Sequence, residues 1–121
     1  MSIRKLTAYG QTVAVIESGT PLITDTQSAL DGMMAAKYEC GTSRIAIQKE
    51  ALTEEFFVLS SGLAGEILQK FTNYGVKCAI YGDFSRYTSK PLRDFIRESN
   101  RGTTVFFTDS EEAAVTWLTE N

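Results

Sequence analysis

The densest run of charged and nucleophilic side chains in this sequence is Gly82-Asp83-Phe84-Ser85-Arg86-Tyr87-Thr88-Ser89-Lys90. Asp83, Ser85, Arg86, Ser89 and Lys90 set hydroxyls, two cations and a carboxylate just ahead of a helix start. Free amides and the positive helix end could hold an anion there, with Arg86 or Lys90 adding charge and Ser85 or Ser89 a hydroxyl. The same residue types also build turns and caps: Asp83 and Ser85 can close a turn, and Ser89 can cap a helix. From the residues alone both readings stay open.

Three other constellations carry chemistry. Asp25, Glu50, Asp83 and Asp109 each follow, or nearly follow, an expected strand, so two or three carboxylates could meet at one edge around a divalent cation; capping explains Asp25 and Asp109 equally well, and no resident metal is assigned. Ser60 and Ser61 could accept a phosphoryl group at a helix start, or could simply form a kink with Gly62. Cys78 falls inside an apolar strand pattern. Cys40 is expected to be more exposed, at a helix C-terminus whose dipole disfavours a thiolate, so neither cysteine reads as a nucleophile. The chain has no histidine. That removes imidazole-based triads, the common zinc sites and histidine acid/base chemistry. Nothing in the spacing calls for a cofactor.

The elements that position these residues follow from punctuation and periodicity. Arg4–Ala8 and Thr12–Ile16 are short β-branched runs broken at Tyr9-Gly10-Gln11, a hairpin. Asp25 caps a first helix with apolar positions Ala29, Leu30, Met33, Met34 and Tyr38, ended by Gly41. Arg44–Gln48 is a strand. Thr53 and the acidic pair Glu54-Glu55 open a largely helical segment striped by Phe56, Leu59, Leu63, Ile67, Phe71 and Tyr74, interrupted near Ser60-Ser61-Gly62 and stopped by Gly75. Phe56 and Phe57 cannot both face one core from a regular helix, which leaves one for a partner surface. Val76–Tyr81 is a strand covered on both faces. Ser89 and Pro91 start a helix with inner positions Leu92, Phe95 and Ile96. Thr104–Thr108 is the last strand, and Asp109 heads a capping box for a final helix that packs Ala113, Ala114, Trp117 and Leu118.

The order β-β-α-β-α-β-α-β-α makes residues 1–121 a single α/β domain, with about five strands in a mostly parallel sheet, an N-terminal hairpin and four helices. A chain of 121 residues with 43% hydrophobic and 22% charged side chains can fill one ordinary core. A net charge of −3 lacks the basic field that phosphate backbones require, so nucleic acid is not an expected partner. No apolar run is long enough to span a membrane, and no export signal is visible. Two separated thiols fit a reducing cytoplasm.

Four segments together identify a family: residues 23–31 (Ile-Thr-Asp-Thr-Gln-Ser-Ala-Leu-Asp), 64–74 (Ala-Gly-Glu-Ile-Leu-Gln-Lys-Phe-Thr-Asn-Tyr), 82–90 and 94–102 (Asp-Phe-Ile-Arg-Glu-Ser-Asn-Arg-Gly). Over nearly its whole length the chain resembles the bacterial domain-of-unknown-function family 4180, which implies a bacterial, cytoplasmic protein and no particular activity. A more distant likeness is to the STAS domains, the fold of anti-anti-sigma factors, through Leu59-Ser60-Ser61-Gly62-Leu63 between two strands; Leu59 stands where that pattern has an aspartate. That likeness implies a STAS-like fold, a phosphoacceptor at Ser60 or Ser61 and a regulatory role.

The functional expectation is a non-enzymatic regulatory or interaction module that binds a protein partner or a small-molecule ligand. The alternative is a small enzyme or anion-binding protein that uses the 82–90 loop at a switch point of the sheet. A homodimer through the edge of the first hairpin is also open.

Overall fold

The structure is a computed structural model that describes residues 3–120. It is an α/β domain with a five-stranded mixed sheet. Strands β1 (Ile3–Ala8) and β2 (Gln11–Ile16) form an antiparallel hairpin. Its two-residue turn places both Tyr9 and Gly10 at positive φ (52° and 74°), the mirror-image geometry that matches strand twist. Strands β3 (Arg44–Gln48), β4 (Lys77–Tyr81) and β5 (Val105–Thr108) then add in chain order, each parallel to the one before.

Helices α1 (Thr26–Ala35), α2 (Leu63–Asn73) and α3 (Lys90–Asn100) are the crossovers, and α4 (Glu111–Glu120) follows β5. Right-handed crossovers in a sheet that grows in one direction must all fall on the same face. The core divides accordingly. Ala14, Ile16, Ile45, Ile47, Cys78, Ile80, Val105 and Phe107 pack with α1, α2 and α3, while Val13, Val15, Ala46, Ala79 and Tyr81 meet α4 alone. The fully buried alanines Ala46, Ala79 and Ala114 on that second face let α4 lie close to the sheet. At the C-terminus of α4, the first residue of each of three neighbouring strands donates to a helix carbonyl. Gln11 Nε2 reaches Thr119 O (3.1 Å), Arg44 Nε reaches Leu118 O (2.9 Å) and Lys77 Nζ reaches Trp117 O (3.5 Å). Carbonyls that have no partner within the helix are thereby satisfied by donors that also suit its negative end.

Local chemistry explains the helix ends. Asp25 Oδ1 accepts from Ser28 N–H at 2.8 Å and Ser28 Oγ accepts from Asp25 N–H at 3.1 Å, a reciprocal capping box. Beyond Ala35 the chain makes one π-helical turn, Ala36–Cys40, which ends at Gly41 with φ 67°. Asn100 Oδ1 accepts from Phe107 N–H at 2.7 Å while its amide donates to Phe107 O at 3.0 Å, occupying the outer edge of β5.

Several expectations are corrected. The segment after Thr53 breaks at Ser60-Ser61-Gly62 as expected, but the piece before the break is not α-helical: it forms separate 3₁₀ turns at Glu54–Phe57 and Leu59–Ser61, after another at Lys49–Ala51, and only α2 is α-helical. Extended residues at Thr53 and Val58 interrupt it, so the apolar three- and four-residue spacing there belongs to short turns. Phe56 and Phe57 are both buried, in edge-to-face contact, because Phe57 finds its second wall in Phe84 and Tyr87 of the same chain. Tyr38 and Tyr74 are exposed, since the π turn and the end of α2 carry them off the apolar stripe. The cap of α4 is Ser110, whose Oγ accepts from Ala113 N–H at 3.1 Å, one residue later than expected. Cys40 is buried, and both cysteines are free. The strand order never reverses, so the sheet has no switch-point crevice.

Candidate functional site

Because β2 to β5 run in parallel, the loops that leave them gather at one rim, formed by residues 17–25, 49–53, 82–89 and 109–110. The 82–89 loop is organised by its own side chains. Asp83 Oδ1 accepts from Ser85 N–H at 2.9 Å, and the hydrogen bonds from Ser85 hold the Asp83 carboxyl below the usual aspartate range, with lesser help from the charges of Lys49 and Arg86. Ser89 Oγ accepts from Leu92 N–H at 3.3 Å and caps α3, with Pro91 in the first turn. Lys90 pairs with Asp94 along α3 at 2.6 Å, which draws the Asp94 carboxyl down. Arg86 pairs with Glu54, whose two oxygens also accept from the Tyr87 hydroxyl at 3.1 and 3.0 Å. The aromatic rings of Phe57, Phe84 and Tyr87 anchor the loop, with Phe57 and Tyr87 stacked at 4.9 Å and Phe84 edge-on to Phe107 of β5.

Between this loop and α3 lies an open groove of about 520 Å³ lined by Phe84, Ser85, Tyr87, Arg93, Ile96 and Arg97. Its floor is apolar and aromatic, and its charged side chains are both guanidinium groups. Arg97 shares Asp94 with Lys90, at 3.1 Å. The Arg93 guanidinium makes no ion pair or hydrogen bond among the described residues, while its backbone N–H donates to Ser89 O at 3.1 Å. Of the five candidates read from the sequence, only Ser85 lines the groove, while Asp83, Arg86, Ser89 and Lys90 are engaged in the turn, the Glu54 pair, the cap and the Asp94 pair. Sequence reasoning missed Arg93 and Arg97. Their signal was present: they sit four apart on α3, beside Ile96.

The other constellations are dispersed. Among the described residues no three acidic or thiol side chains come close enough to hold a metal ion, and the Asp25 carboxylate is used by its cap. Ser61 Oγ donates to Glu55 O and accepts from Leu63 N–H, which makes it a structural residue ahead of α2. Ser60 is exposed in the preceding 3₁₀ turn, and its hydroxyl has no hydrogen-bonding partner among the described residues. Burial pushes both thiols up, Cys78 most strongly. On the other face of the rim, burial and the neighbouring Glu111 push the Tyr81 phenol up to about 12.

These features describe an α/β module whose loop rim carries an amphipathic, cation-lined groove. The chain belongs to the family described as a domain of unknown function (DUF4180), whose model matches residues 8–118. No curated protein and no solved structure gives a significant match. No helix among the described residues is long and apolar enough to cross a membrane.

Proposed function

We propose that this domain is a non-enzymatic binding module of bacterial regulation, whose ligand is a small organic anion held in the groove between the 82–89 loop and α3. The observation that carries the reading is the groove lining: Arg93, without a partner of its own, and Arg97 stand beside a floor of Phe84, Tyr87 and Ile96. Small-ligand sites are mostly apolar concavities of this general size with a few polar groups that set orientation. Guanidinium groups select planar anions, carboxylates above all. A catalytic role finds less support. The chain has no histidine, its thiols are buried, and the lining of the groove contains no carboxylate base.

Calorimetry with a panel of aromatic carboxylates and aryl phosphates tests the reading. Saturable binding is expected, and Arg93→Ala should weaken it about tenfold or more, the worth of one hydrogen bond to a charged group. The same variant should melt like the parent. A panel that gives no saturable heat sinks the proposal.

A second reading, a protein partner recognised through a STAS-like surface, draws on the exposed and unengaged Ser60 ahead of α2. A phosphoryl group there would add nearly two negative charges beside the helix start. Intact-mass measurement of the chain isolated from its native cells across growth conditions tests it; a chain unmodified in all of them rules out Ser60 as the switch.

A further inference from the structure

The two sides of β5 are covered unequally. Successive strand residues point to opposite faces of a sheet, so Phe107 turns to the side of α1, α2 and α3, where it is buried, and Phe106 turns to the side of α4, where it stays half-buried. A helix about 10 Å across cannot cover five strands spaced about 4.8 Å apart. The margin of the α4 face beside β5, the outermost strand, is therefore left open.

An open trough of about 430 Å³ lies there, between Phe106 and α4, on the opposite face of the sheet from the arginine groove. From α4 it is lined by Glu112, Ala113, Thr116, Trp117 and Glu120, positions that successive turns bring to one side of a helix. Phe106 and Trp117 stack with centroids 5.0 Å and planes 10° apart, and both are half-buried, so they offer the trough a flat apolar wall. Glu112 and Glu120 bound the stripe, about 12 Å apart along the axis at the helical rise per residue. Neither carboxylate forms an ion pair or hydrogen bond among the described residues, and no cation lines the trough; the Arg4 guanidinium goes to Glu111, on another side of the helix. The Trp117 ring already draws a cation, since Lys77 Nζ lies 4.4 Å from its centroid while donating to Trp117 O. The charge of Glu120 acts on that ammonium, whereas Glu112 has no cationic partner among the described residues.

We propose that this trough is a second binding site, for a linear aliphatic diammonium ligand of the polyamine class, whose methylene chain lies on the Phe106–Trp117 pair while its terminal ammonium groups face Glu112 and Glu120. The choice of occupant follows from charge and shape. Two unpaired carboxylates at the ends of an apolar wall match a chain that is apolar in the middle and positive at both ends, and the volume is in the range of small-ligand sites. The inference is independent of the anion groove, because it uses the other face of the sheet and the opposite charge.

Trp117 is the only tryptophan of the chain, so its fluorescence reports the trough directly. The test is a fluorescence titration with 1,8-diaminooctane, 1,4-diaminobutane and 1-aminooctane, on the parent chain and on Glu112→Gln, Glu120→Gln and Glu66→Gln. The long diamine should bind saturably, and more tightly than the short diamine, which has the same charge but cannot span the two carboxylates. It should also bind about threefold or more tighter than 1-aminooctane, the worth of one partly exposed ion pair. Glu112→Gln should lose about the same factor and Glu120→Gln less, because Glu120 shares its charge with Lys77. Glu66→Gln removes an equal charge from α2, on the other face, and should leave binding unchanged. All three glutamates are exposed, so the variants keep the core intact. No saturable change with 1,8-diaminooctane overturns the proposal. Equal affinity for 1-aminooctane reduces the trough to an apolar surface, and an equal loss in Glu66→Gln reduces the effect to the net charge of the chain; either result refutes the assigned roles of Glu112 and Glu120.

Discussion

The two ends of the parallel strands treat positive charge in opposite ways. At the amino end, Arg44 and Lys77 begin β3 and β4, and each has a backbone carbonyl of α4 to bond, with Gln11 of β2 completing the set. At the carboxyl end, the side chains of Lys49 and Arg93 have no hydrogen-bond acceptor among the described residues, although Arg86, Lys90 and Arg97 are paired there with Glu54 and Asp94. Cations at one end finish the backbone of a helix, and at the other the Arg93 guanidinium is left without a partner among the described residues. The contrast separates groups that hold the fold from groups that can recognise something, without reference to any known relative.

Substitutions can break this contrast or sharpen it. The largest effect is expected for Gly82→Ala, which forces a methyl group against the Lys49 stem and should cost about 1–3 kcal/mol in denaturant unfolding, as overpacking does. A variant with parent stability would show that Lys49 can move aside freely. Arg44→Ala comes next, at about 1–2 kcal/mol for the lost bond to Leu118 O, with no change in anion binding. Burial and the charge of Arg44 both hold the Lys77 ammonium below the usual lysine value, so the same variant should let it titrate higher, measurable by NMR. Equal losses of stability from Arg44→Ala and Arg93→Ala would erase the distinction between the two ends.

The smallest effect is acid sensitivity. Hydrogen bonds from Ser28, Ser85 and Lys90 depress the carboxyls of Asp25, Asp83 and Asp94, so the unfolded chain binds their protons more readily. Their stabilisation is present in full above the ordinary value of 3.8 and is lost as pH falls through the lower folded values. A melting temperature that rises on acidification across that window would contradict these assignments.

Much of the architecture was readable because β-branched runs, Gly41, Gly75 and the caps at Asp25 and Ser89 act locally. The failures have physical causes. Phe56, Leu59 and Leu63 fit a helical stripe, yet consecutive 3₁₀ turns produce nearly the same spacing, and only the tertiary wall made by Phe84 and Tyr87 decides where Phe57 goes. The burial of the Lys49 stem was not legible because a lysine after a strand reads as a solvated charge; it depends on Gly82, 33 positions further along, and on a ring from yet another turn. The 82–90 loop was found, but its most polar residues turned out to shape it, and the groove is completed by α3, of which only the inner positions Leu92, Phe95 and Ile96 were read from the sequence.

The amide of Asn100 leaves a last consequence. By answering both the N–H and the C=O of Phe107, one side chain imitates the neighbour that an outermost strand lacks. Lateral growth of the sheet is thereby discouraged on the β5 side. Any assembly of copies by strand addition is steered towards the hairpin, at the far border of the molecule and four strands away.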